Sequence, residues 1–493
     1  MRIKPSSLLN ATAKVRLVGD VVAISPHSFA AGQVLPLGIG NTDVLLSLLA
    51  HAAPFNYRFP LPIWMYVAAG GAAVLLSAPA AALAVHEEPE HEWRSADVYR
   101  WFRWAGRPLT ILIALLFAWS LMAGLAMPTD QSREFLENPI TVVTWIDFWV
   151  GLGIAAWLVG NVWEHVSPVN VAARALDGRL ARAQVQPLAY PERLGQWPAV
   201  GLLLVWSWME LVWPSAKEPR VLALILIAYL IATFVGCAVF GAEAWLGNVE
   251  LFSVFSRTLS RFSPLELRPF VPEEWAASPV AERTARLRLW GQGLRTDPGL
   301  PVGGGAFVLT TLATVVYDGW SQTSRFADVQ HWFWQRWSFF QHHEQVLETL
   351  ALLAVVVVFV AAYVLVTRQY ARILAPTLIP IAAVYFTAHY FAYFLIDVQG
   401  TLGAVVDPFG HSWNPWGLGE YNFWRGIAPP GATWWLQIVL IVFGHVAAVF
   451  AAHRIALRGS TRVRAFAGQL PVVALMVLYT LAGLWVLAQQ IKA

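Results

Sequence analysis

Cysteine is almost missing from this sequence: one residue, Cys237, in a chain of 493. It falls in an apolar run, which excludes an intrachain disulfide and any motif that needs two cysteines around a metal. Charge is scarce as well, at 13% of residues, where soluble domains carry about 25%. The net charge of +3 is too small to argue for a nucleic-acid partner. No HExxH, HxH or Gly-x-Ser-x-Gly occurs, and "PVGGGA" at 301–306 lacks the lysine of a phosphate-binding loop. What the chain has instead is 57% hydrophobic residues and 26 tryptophans. Its repeated apolar runs of about 20 residues mark a polytopic membrane protein.

The hydropathy pattern predicts an all-α helical bundle of ten spans, near 62–84, 109–127, 140–162, 196–213, 221–246, 303–320, 347–367, 374–396, 433–453 and 467–489. The fourth and sixth are short, and the fifth is long enough to tilt. The five odd-numbered connections hold 21 Lys and Arg, including Arg94, Arg100, Arg103 and Arg107 in the first, and the four even-numbered ones hold six. Positive residues mark the cytoplasmic side, so the odd loops are expected inside and both termini outside. Residues 56–493 then form one transmembrane domain. Within the inner loops 163–195 and 247–302, Val169–Gln184 and Leu251–Leu267 alternate apolar and basic faces at helical spacing. That pattern predicts amphipathic helices lying on the inner surface. The outer loops 321–346 and 397–432 are dense in Trp, Phe and His, as expected of an aromatic belt at the membrane–water boundary.

Residues 1–55 read as an N-terminal arm. "DVLLSLLAHAAP", 43–54, looks like the end of a signal peptide, an apolar run followed by the small-x-small site Ala50-His51-Ala52. It lies further from the start than a conventional signal of roughly 15–30 residues. Either the true start is later or the segment is an uncleaved outer arm. Cleavage after Ala50 would leave His51 as an N-terminal amine plus imidazole, a pair able to chelate a metal.

Ionisable residues inside spans are costly and mostly functional. On the predicted topology His389 sits roughly 10 Å below the outer end of the eighth span, with Asp397 at the mouth. His445 lies about 18 Å below Thr433 in the ninth span, and His453 at the cytoplasmic edge beside Arg454. Glu210 and Asp318 close the fourth and sixth spans on the outer side, and Asp147 is in the outer third of the third. Glu344 and Glu348 share a face of the seventh, just after His342 and His343. Glu243 is near the inner end of the fifth, within reach of a loop arginine; His165 and His453 read as inner-face structural residues. Imidazole and carboxylate are the donors that zinc, manganese or iron takes. For each histidine a hydrogen bond to a neighbouring helix is the competing explanation.

Seven segments occur in order: "YPERLGQWPAVGLLLVWSWMELV", "FGAEAWLG", "YDGWSQT", "AHYFAYFLIDVQG", "VDPFGHSWNPWG", "GHVAAVFAAHRIAL" and "YTLAGLW". Across about Phe59 to Val486 the chain resembles the bacterial multi-spanning fenitrothion hydrolases. Glu210, Glu243, Asp318, His389, Asp407, His445 and His453 match that family's segments; His342 and His343 do not. The long arm before His51 departs from it. The resemblance implies a bacterial inner-membrane enzyme in which a metal-activated water attacks a phosphotriester or thiophosphate triester. His389 and His445, with Asp318 or Glu210, would hold the ion, and Asp407 and Asp397 would handle protons. An apolar substrate could enter sideways from the bilayer. A transporter or channel with His389, Asp397 and His445 on a proton or ion path, or a subunit binding haem or copper, uses the same residues.

Overall fold

The computed structural model describes residues 62–84, 98–126, 138–268, 284–288, 290–296, 299–409, 411, 413–418, 424–457 and 462–488. The N-terminal arm, its signal-like segment and His51 lie outside the described residues, as do Arg94 and the side chains of Arg100 and Arg103.

The chain folds into long helices. In order they are α1 (Ile63–Ala84), α2 (Val98–Ala126), α3 (Pro139–Leu158), α4 (Pro168–Arg182), α5 (Trp197–Leu211), α6 (Pro219–Phe240), α7 (Ala242–Asn248) and α8 (Leu251–Leu259). There follow α9 (Gly304–Ser321), α10 (Ser324–Arg336), α11 (Glu344–Thr367), α12 (Ile379–Asp397), α13 (Gly400–Val406), α14 (Pro430–Leu457) and α15 (Arg462–Leu487). Among the described residues seven stretches are long and apolar enough to cross a membrane, one of them, Glu344–Asp397, containing both α11 and α12. α5 is apolar but shorter. One β-ribbon departs from the all-α expectation: β1 (Leu265–Arg268) pairs antiparallel with β2 (Thr284–Leu287), Leu265 opposite Leu287.

Helix α12 is the centre of the bundle. It is apolar around its whole circumference and buried over most of its length, as expected of a helix enclosed by others. Pro380 stands at its first turn, where the missing N–H costs nothing. It packs along α14 and against α9, α3 and α8. The α12–α14 crossing is tight at Gly444, where an added Cβ would stand 2.9 Å from the Pro380 carbonyl oxygen and against the Val384 side chain. A backbone oxygen cannot step aside cheaply. Gly444→Ala is therefore expected to cost about 1–3 kcal/mol by overpacking, read as a lower melting temperature in detergent.

Two segments expected on the inner side differ from the reading of the sequence. The fifth span does not run on to 246; it stops at Gly241, whose φ of +85° breaks the helix. Helix α7 restarts there, its first N–H, from Ala242, donated to Asp177 Oδ2 of α4 at 2.7 Å. Helix α8 is not a surface helix. Eight of its nine residues are buried, and Phe252 and Phe255 pack on Trp149, Trp206 and Phe386. Only Arg257 turns away, toward Glu164 at 3.2 Å and Glu243 at 3.7 Å. The Glu243–arginine pair expected from the sequence is thus present. Helix α4 keeps an exposed polar face, with Asn170 and Ala173 its buried residues.

Candidate functional site

Four helices bring one hydrogen-bonded chain together. Asp318 lies in the last turn of α9, His389 and Tyr390 in the middle of α12, Glu210 at the end of α5, and Trp149 in α3. His389 Nε2 is 2.9 Å from Asp318 Oδ2, and neither side chain is exposed at all. Gly319 makes room for this approach: a Cβ there would meet His389 Cε1 at 3.5 Å and Val486 at 2.8 Å. The Tyr390 hydroxyl is 2.9 Å from the same Oδ2 and 3.3 Å from Glu210 Oε1. The Trp149 N–H donates to Glu210 Oε2 at 3.1 Å.

The hydrogens in this chain can be counted. A tyrosine hydroxyl carries one hydrogen, and an ionised carboxylate carries none to give. Tyr390 therefore cannot donate to both acids. If it donates to Asp318, the Glu210 contact is a hydrogen bond only when Glu210 is protonated and donates to the Tyr390 oxygen. Read that way, each of the three contacts has one hydrogen: Glu210 to Tyr390, Tyr390 to Asp318, and His389 Nε2–H to Asp318. On that assignment the two acids share one proton inside an apolar bundle.

Aromatic rings close one side of the row. Phe386, one turn before Tyr390, packs on it with centroids 4.8 Å apart, and Trp149 and Phe255 pack on Phe386, each at 5.5 Å. The other side leads to polar groups at the helix ends. Lys217, in the turn Pro214–Lys217 that follows α5, is half-buried. Burial pushes its amine down to about 8, against the pull of nearby carboxylates, Asp318 and Glu348 among them, which hold it up. Glu348 Oε1 accepts from Gln330 of α10 at 3.1 Å, so α10 covers this end. The Lys217 shift sets a sign. Between pH 8 and the ordinary lysine value near 10.4 the unfolded chain binds the extra proton, so this group makes stability rise with pH across that window. The melting temperature of the wild type minus that of Lys217→Met should be higher at pH 10 than at pH 8.

The other predicted residues are placed as follows. Asp397 ends α12 and is buried, and Tyr393 stands one turn from His389 and one from Asp397. Asp407 is half-buried after α13, and its Oδ1 accepts the His411 N–H at 2.8 Å. Asp147 accepts from Thr401 at 2.8 and 2.9 Å. His342 and His343 are exposed, each with Nδ1 on its own helix backbone. His445 does not share the level of His389. Gln437 Nε2 reaches the Ala388 carbonyl at 2.8 Å, and His445 is eight residues, about 12 Å, further along α14. The expected closure of both histidines around one ion is therefore not found. Among the described residues no three of His, Cys, Asp and Glu converge to hold a metal.

Tyr390 and Trp149 were not expected at the site. An aromatic beside a membrane histidine reads as packing, and only its hydroxyl hinted otherwise. Set against protein-family models, curated proteins and solved structures, the chain matches none.

Proposed function

We propose that this chain is a multi-pass protein of a bacterial cytoplasmic membrane, with ten crossings and both ends outside, and that it moves protons or proton-coupled cargo. Its working part is the row Glu210–Tyr390–Asp318–His389, loaded from the outer side past Lys217 and Glu348. One observation carries the reading: a single tyrosine hydroxyl bridges two carboxylates, at 2.9 and 3.3 Å, with an imidazole on the second. Such a row can pass a proton by shifting each hydrogen bond by one partner, and intramembrane relays of acids and histidines are a recurrent use of buried ionisable groups. The excess of Lys and Arg in the odd-numbered connections supports the orientation.

Hydrolysis, implied by the resemblance, has one supporting feature: an imidazole held by a carboxylate is arranged as a general base is. Against it stands access, since His389 and Asp318 are both fully enclosed. The two readings separate in one preparation. The protein sealed into lipid vesicles should let protons in under an imposed potential, reported by a pH-sensitive dye in the lumen. The same protein in detergent should not release an aryl oxide from a phosphotriester. Aryl oxide release that is lost on chelation, with no proton entry, would replace this proposal with the hydrolase.

A further inference from the structure

We infer that a second, water-lined stretch runs from the outer row toward the inner face, with His445 as its proton-accepting station. This rests on the proton-carrying reading above and extends it.

The observations are polar atoms enclosed in the bundle that meet no partner in the protein: Tyr385 Oη, Gln437 Oε1, His445 Nε2 and both amide atoms of Gln469. All four residues are at most 3% exposed. Their levels follow from their neighbours. Gln437 donates to Ala388 O at 2.8 Å, beside His389. Tyr385 is one turn earlier on α12, its ring against Gly483 of α15, where a Cβ would stand 2.8 Å away. His445 lies about 12 Å inward of Gln437, and His453 about 12 Å further. Gln469 is near the start of α15, whose connection from α14 lies on the inner side of the proposed topology. Polar groups thus recur from the outer row to the inner face, and buried water is the ordinary partner of such groups.

The tautomer of His445 fits a relay. Its Nδ1 is 2.8 Å from the Ile441 carbonyl oxygen, which can only accept, so Nδ1 carries a hydrogen. In the neutral ring Nε2 is then a bare acceptor. A proton delivered to Nε2 by water on the outer side makes an imidazolium. The same proton leaves Nε2 to water on the inner side, the Nδ1–H stays on Ile441, and the ring ends as it began.

The test is hydroxyl-radical labelling of the full-length wild type in lipid nanodiscs, the radicals made by radiolysis of water and the products read by mass spectrometry. Tyr385 should be modified at least fivefold faster than Tyr363, equally buried but bonded to the Ala371 carbonyl at 2.7 Å, and His445 should be modified too. Rates for Tyr385 and His445 no higher than that of Tyr363 would overturn the inference, and need no variant. In vesicles, His445→Leu should lower proton entry at least tenfold. Unchanged entry in His445→Leu, with entry lost in Asp318→Asn, would remove this stretch and leave the outer row standing. Unchanged entry in both would instead sink the reading on which it rests.

Discussion

Tyr390→Phe should cut proton entry into vesicles by about tenfold or more, with the loss of stability held to that of one buried hydrogen bond. The hydroxyl bridges Glu210 and Asp318 (3.3 and 2.9 Å), and a hydrogen bond to a charged group contributes about 1.5–3 kcal/mol to stability. Phenylalanine carries no hydrogen to pass on, so flux should fall even in the protein that stays folded. The ring remains and keeps its packing on Phe386, so helix positions should hold. Comparing the flux per folded protein with the change in melting temperature separates the two roles: a structural tyrosine would lower the melting temperature alone.

The second large effect belongs to Glu164. Glu164, 8% exposed, accepts from Arg174 at 2.6 Å, from Arg257 at 3.2 Å and from Asn161 at 2.7 Å. It ties the short helix Trp163–Val166 to α4 and to the buried helix α8. Glu164→Gln leaves two guanidinium groups short of their counter-charge, and breaking a buried pair by removing one partner costs about 3–5 kcal/mol. A fall of several degrees in melting temperature is expected. Burial alone would raise the Glu164 carboxyl, but Arg257 and Arg174 outweigh it and hold it below the usual carboxylate range. A depressed acid contributes stability above its unfolded value, near 4.3, and loses it as pH falls through the folded value. The gap between wild type and Glu164→Gln should therefore be full at pH 7 and narrow in acid below the ordinary range. A gap that stays constant into acid would contradict the ion-pair account.

Much of this architecture was legible before any coordinates, because a run of about 20 apolar residues has few alternatives to a membrane helix. Asp318, Glu210 and His389 were all expected in the outer part of their spans, and the structure joins them through Tyr390. Which of them touch was not, because contact depends on how neighbouring helices rotate and slide, and the period of one helix says nothing about its neighbour's register. His445 shows this: it lies at another level of the bundle from His389, and nothing local forbade a shared ion. Helix α8 failed for another reason. Leu251–Leu267 alternates apolar and basic faces at helical spacing, and that pattern is the same whether the apolar face meets lipid or the rings of Trp149 and Phe386. Glu164 carried little local signal, since its two arginine partners are 10 and 93 residues away.

The most direct test of the proton row is the rate of proton entry into sealed vesicles carrying Asp318→Asn, compared with Asp328→Asn. Asp328 is an exposed aspartate of α10 paired with Arg325 at 3.6 Å. The amide at 318 cannot take up the proton that the row must pass, so entry should fall to the level of empty vesicles, while Asp328→Asn matches the wild type. Full proton entry through Asp318→Asn would mean that the row carries nothing.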